Sequence, residues 1–124
     1  MLFRSFGRAI NQLEALAALD PSRPERLVAV GLTQARAGRD DAAVMTLGRA
    51  LERFPDASQV YAALGHVWLV QAQRRGDRVA LTKALEALTH AASRTDVSGE
   101  TYAELAHASV LTGDRTGEIG RAHV

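Results

Sequence analysis

The sequence predicts an all-α chain, an array of antiparallel helix hairpins, on three observations. Pro21 and Pro55 stand 34 residues apart, with Ala9, Leu13 and Asp20 leading to the first, Ala43 and Leu47 to the second, and Asp56 beside it. Between these breaks, small and apolar residues recur at spacings of three and four, the helical period. Gly38 with Asp40 or Asp41, Gly76-Asp77 and Gly113-Asp114 each combine a glycine that can stop one helix with an aspartate that can cap the next. A 34-residue period suits a helical hairpin, which buries its apolar face only against its neighbours.

The elements follow in order. Over residues 4–19, Phe6, Ala9, Ile10, Leu13, Leu16 and Ala17 share one helix face. In the frame this is the second helix of a truncated unit spanning 1–20, whose first helix would lie before Met1. The first complete unit spans 23–55. Ser22-Arg-Pro24-Glu25 reads as its start, with Ser22 as N-cap, Pro24 in the first turn and Glu25 closing a capping box. Its helices are predicted over 23–37 and 41–53.

The second complete unit, 57–96, holds seven more residues between Trp68 and Ala84 than the frame allows. Gln71 to Arg75 stays helix-compatible up to Gly76, so the hairpin is predicted to be longer by about one turn on each helix. Its second helix, 78–93, would turn Leu81, Ala84, Leu85, Leu88, Ala91 and Ala92 inward. A last helix, 99–112 within the segment 98–112, carries Tyr102, Leu105, Ala106, Ser109 and Val110 and matches the first half of a third unit. Residues 113–124 have almost no apolar stripe and are expected to form a disordered tail. Glu118 to Val124 reads like a translated sequencing adapter, so the natural sequence is expected to end near Gly117, leaving a fragment cut at both ends.

Gly31 and Gly65 occupy one place in the period. A mid-helix glycine costs about 0.5–1 kcal/mol relative to alanine, so its recurrence points to close approach by another helix.

Laid on the frame, Leu27, Val30, Gly31, Gly38, Ala43, Leu47, Ala50 and Pro55 form one unit; Tyr61, Leu64, Gly65, Trp68, Gly76, Ala84, Leu88 and Ala91 form the next. These residues resemble the tetratricopeptide repeat (TPR) family, most closely over Tyr61-Ala-Ala-Leu64-Gly65-His-Val-Trp68. Leu27 and Gln34 stand where the family prefers aromatics, and Asp96-Val97 where it has proline. The resemblance implies an α-solenoid fragment, a right-handed superhelix whose first helices line a concave groove for an extended or helical peptide. By matching positions the groove would comprise Glu25, Val28, Leu32 and Arg36, then Gln59, Ala62, His66 and Leu69, then Glu100, Ala103, His107 and Val110. Members that grip chaperone tails use Lys and Asn where this chain has Val28, Leu32, Ala62 and His66, so a chaperone tail is not the expected ligand.

Composition narrows the function. At 124 residues and 47% hydrophobic content the chain suffices for one domain. Its 15 basic and 14 acidic residues are interspersed, and net charge +1 gives no broad field for nucleic acid or anionic membrane. No apolar run spans a membrane, Met1 to Gly7 is too short and polar for a signal peptide, and the absence of cysteine excludes disulfides and thiol chemistry. The cytoplasm is the favoured compartment. Abundant Ala and Arg with a single lysine, Lys83, suggest a GC-rich bacterial coding sequence.

His66 and His107 could face each other across the groove, but zinc takes three or four protein ligands and no third is indicated. Asp40-Asp41 reads as a helix-start pair rather than an acid/base pair, since no nucleophile or companion base accompanies it. Arg74, Arg75 and Arg78 form a basic hairpin tip, Trp68 belongs to the core stripe, and His90 falls on the outer side of its helix.

The expected function is therefore a non-catalytic protein–protein interaction module, part of a scaffold or adaptor, without cofactor or metal. The alternatives are a docking arm for an enzyme whose catalytic domain lies outside this chain, and a nucleic-acid-binding helical array, which would need a basic stripe. With two full units flanked by halves, Leu105 and Val110 are expected to be exposed, and stability to be marginal or relieved by self-association through the uncapped ends.

Overall fold

Six α-helices follow one another in the computed structural model of the chain, which describes residues 2–19, 22–94 and 98–122, the side chains at 2–6, 17, 19 and 114–122 excepted. They are α1 (Leu2–Leu19), α2 (Pro24–Arg36), α3 (Asp40–Arg53), α4 (Ser58–Arg75), α5 (Arg78–Ala92) and α6 (Gly99–Ala122). No strand occurs among the described residues. Asp20, Pro21, Asp96 and Val97, and the side chains of Phe6 and Ala17, fall outside them.

The boundaries follow local chemistry. Gly38 and Gly76 adopt φ of 80° and 63°, the left-handed conformation glycine enters without steric penalty. Arg39 N–H then reaches back to the Gln34 carbonyl at 2.9 Å and closes α2. Asp77 caps α5, its carboxylate accepting from the N–H groups of Val79 at 2.9 Å and Ala80 at 3.3 Å. Helix α3 stops at Arg53, before the Phe54-Pro55 pair, where the residue preceding proline is pushed out of helical conformation.

Three expected boundaries differ. Helix α2 begins at Pro24 with Arg23, not Ser22, as N-cap. Helix α3 has Arg39 as N-cap, and Asp40 and Asp41 lie in its first turn, where the helix dipole favours them. The Gly113-Asp114 pair does not end a helix: α6 runs through it to Ala122. A glycine permits a left-handed stop without requiring one. After Gly113 no apolar stripe follows to draw a second helix back onto α6.

Each helix packs on the next in the chain, and α4 also touches α2 and α6. The packing repeats. A Cβ built on Gly31 would lie 2.6 Å from Leu47 Cγ, and one on Gly65 would lie 2.5 Å from Leu88 Cγ and 3.3 Å from the Leu88 backbone nitrogen. Leu47 and Leu88 are wholly buried, as are Ala43 and Ala50 around the first and Ala84 and Ala91 around the second. Each glycine therefore marks the closest approach of a hairpin's two helices. Trp68 packs against both core clusters, and Lys83 Nζ sits 4.6 Å from its ring centroid.

The seven additional residues sit at the hairpin tip. Helix α4 starts 34 residues after α2 does and ends 39 after it; α5 starts 10 residues before Leu88, whereas α3 starts 7 before Leu47. Both helices lengthen, α4 more than α5, and the connection shortens from residues 37–39 to 76–77. The extension buries Ala72, Ala80 and Leu81 in a cluster with Ala108 of α6. Arg75 at its end approaches Asp40 at 3.7 Å, tying the tip to the start of α3.

In the end helices Val110 is exposed as expected, whereas Leu105, expected to be exposed, is part-buried. Helix α6 buries Thr101 and Ala108 and part-buries Leu105 and Leu111, while Tyr102, Ala106, Ser109 and Val110 are exposed. In α1, Ile10 is buried against Val30 and Ala37, but Leu16 is exposed. Among the described residues, both helices have neighbours on one side only.

Two glycines separate packing from propensity. Gly48, with nothing near its missing Cβ, should accept alanine with a gain of about 0.5–1 kcal/mol. Gly65→Ala should lose about 1–2 kcal/mol net, since overpacking Leu88 outweighs the helical gain; urea denaturation followed by circular dichroism reads the opposite signs. By the same measurement Asp77→Ala should cost about 1 kcal/mol through the lost cap.

Candidate functional site

Helices α2, α4 and α6 line a groove of about 570 Å³. Helix α2 supplies Val28, Leu32, Ala35 and Arg36; α4 supplies Ser58, Gln59, Ala62, Ala63, His66, Val67, Val70 and Arg74. Glu100, Thr101 and Glu104 come from α6, Ser98 from just before it, and Asp40 from the start of α3. Spacings of three and four place each set on one helix face. The floor is apolar and small, and the charged groups divide: Arg36 and Arg74 stand on α2 and α4, Glu100 and Glu104 on α6.

Of the residues the sequence assigned to the groove, Val28, Leu32, Arg36, Gln59, Ala62, His66 and Glu100 line it. Glu25 does not. Leu69 is 3% exposed and belongs to the core shared with α5 and α6. The residue 34 positions after Arg36 is Val70, and it takes the groove position. Ala103, His107 and Val110 are exposed outside the groove, where α6 presents Thr101 and Glu104 instead. Positions copied from α4, held between α3 and α5, do not carry over to a helix whose orientation is set by α4 and α5 alone.

Among the residues that sequence reasoning missed, Val70 and Arg74 continue the four-residue series from Ala62 and His66 and were legible. Glu104 was not, because only the orientation of α6 brings it to His66. His66 Nδ1 donates to Glu104 Oε2 at 2.6 Å, joining α4 to α6. The hydrogen bond to Glu104 raises the His66 pKa above its ordinary 6.5; desolvation opposes this, the charges of Glu104 and Glu100 add to it, and Arg36 opposes it.

His66 and His107 do not face each other. His107 Nε2 lies 3.1 Å from Gln73 Nε2, and no group of three or more His, Cys, Asp or Glu is placed to hold a metal ion among the described residues. His90, exposed on α5, stacks on Tyr61 of α4 with centroids 3.7 Å apart and planes 17° apart. The tip arginines separate, Arg74 facing the groove and Arg75 pairing with Asp40. No described helix is long and apolar enough to cross a membrane.

Compared with known protein families, characterised proteins and solved structures, the chain gives no match.

The His66–Glu104 pair carries a pH dependence of definite sign. With the folded pKa above the unfolded one, the stabilisation is complete below about pH 6.5 and is lost as pH rises through the folded value. His66 is 44% exposed, so solvent screens the effect. An NMR titration should place the His66 midpoint above 6.5 in the native chain and lower in Glu104→Gln.

Proposed function

We propose that this chain is a non-catalytic protein–protein interaction module of the TPR kind, and that the groove of α2, α4 and α6 holds a segment of a protein partner. The observation that carries the reading is the groove itself, drawn from three helices that are not consecutive in the chain. Repetition at two levels supports the family reading: a 34-residue sequence period, and a glycine–leucine contact made twice with the same buried alanines around it. On that reading the hairpins form part of a right-handed α-solenoid, serving a larger bacterial scaffold or adaptor.

The groove chemistry suits a peptide better than a small metabolite. Its apolar floor, with Val28, Leu32, Ala62 and Val67, can cover aliphatic side chains. Gln59 offers hydrogen bonds to a peptide backbone, and the division between Arg36 and Arg74 on one side and Glu100 on the other can fix its direction.

Selection of peptides from a random library on the immobilised chain tests this. Enriched peptides should lose at least tenfold in affinity on Leu32→Glu, with helix content by circular dichroism unchanged. Failure to enrich any sequence, or equal binding to Leu32→Glu, would overturn the groove assignment.

A further inference from the structure

The charged side chains of the groove divide into those with a partner inside the chain and those without one. Asp40 has Arg75 at 3.7 Å, and Glu104 accepts a hydrogen bond from His66 Nδ1 at 2.6 Å. Arg36, Arg74 and Glu100 line the same groove and are exposed. Among the described residues, none of these three side chains makes an ion pair or a hydrogen bond. Two guanidinium groups and one carboxylate are therefore left to meet a ligand.

They stand at opposite ends of the groove. Helices α4 and α6 run in one direction: His66 meets Glu104, and Gln73, further along α4, lies 3.1 Å from His107, further along α6. With Glu104 level with His66, Glu100 lies four residues before that level and Arg74 eight beyond it. That separation is about 18 Å at 1.5 Å per residue. Arg36 ends α2, four residues before the Asp40 that Arg75 reaches from the end of α4, so it belongs to the Arg74 end. Leu32, Ala62 and Val67 supply the apolar floor.

We propose that the partner segment carries an acidic side chain for Arg36 and Arg74, a short aliphatic stretch for the floor, and a basic side chain for Glu100. The inference rests on the groove being a peptide site and adds the chemistry of its occupant. Guanidinium groups suit the acidic end, because their planar fork pairs with a carboxylate through two parallel hydrogen bonds. An extended peptide rises about 3.4 Å per residue, so its opposite charges stand about five residues apart. A nucleic acid fits the groove less well, since its phosphates would meet Glu100 and Glu104 along α6. The ends of the groove are exposed, so added salt weakens the charged contacts.

The test sequences the peptides selected from a random library on the whole chain and measures the best of them by fluorescence anisotropy. They should share an acidic residue, with a basic one about five positions away. Lysine in place of the acidic residue should lower affinity for the native chain at least tenfold. The double variant Arg36→Glu, Arg74→Glu, verified as folded by circular dichroism, should prefer the lysine peptide to the acidic one, and Glu100→Lys should remove the preference for the basic residue. Selected peptides that lose binding on Leu32→Glu but show no acidic preference, or bind the lysine version equally well, leave the groove reading standing and overturn this one. Peptides indifferent to Leu32→Glu, or a library that yields none, overturn both.

Discussion

The contact between a helix-interior glycine and a wholly buried leucine is the constraint on which the other features rest. At Gly31–Leu47 and Gly65–Leu88 nothing larger than hydrogen fits on the glycine without displacing the leucine. Each glycine gives up about 0.5–1 kcal/mol of helix propensity, and burying a leucine returns about 1.5–3 kcal/mol. The exchange is favourable only if the two helices lie close. That closeness fixes α2 against α3 and α4 against α5, and so brings α2 and α4 side by side with room for a groove.

The groove is a by-product of this spacing, refined by charge. Ala62 and Ala63 keep its floor low, while the longer Arg36, Arg74 and Glu100 stand along its length. The His66–Glu104 hydrogen bond does a structural task within the same feature. It adds a polar tie between α4 and α6 at the side of α6 that faces the groove. Tyr102, on the opposite part of α6, donates from its hydroxyl to the Ala92 carbonyl at 3.2 Å, so α6 is held to the end of α5 as well.

What the sequence disclosed and what it concealed divide along the range of the forces involved. Gly38, Gly76 and Asp77 were legible because a left-handed φ or a helix cap is decided by a few adjacent residues. The pairing of Gly31 and Gly65 with helices behind them was legible because periodicity records a partner. Helix α6 was not, since its rotation depends on which neighbours surround it, and that took Ala103, His107 and Val110 out of the groove and brought Glu104 in. Gly113-Asp114 repeats the dipeptide of Gly76-Asp77 within one helix. The same two residues stop a chain only where another apolar stripe waits to fold back.

The longer second hairpin separates size from register. Gly65 and Leu88 stand 23 residues apart and Gly31 and Leu47 only 16, yet the same contact forms in both. Each helix grows from the end remote from that contact, so added residues raise the tip without turning any side chain below it. The five residues by which α4 outruns α2 lift the tip by about 7.5 Å at 1.5 Å per residue. Height at the tips is thus a free variable of this architecture, able to change by insertion or deletion while the glycine–leucine contact keeps its register.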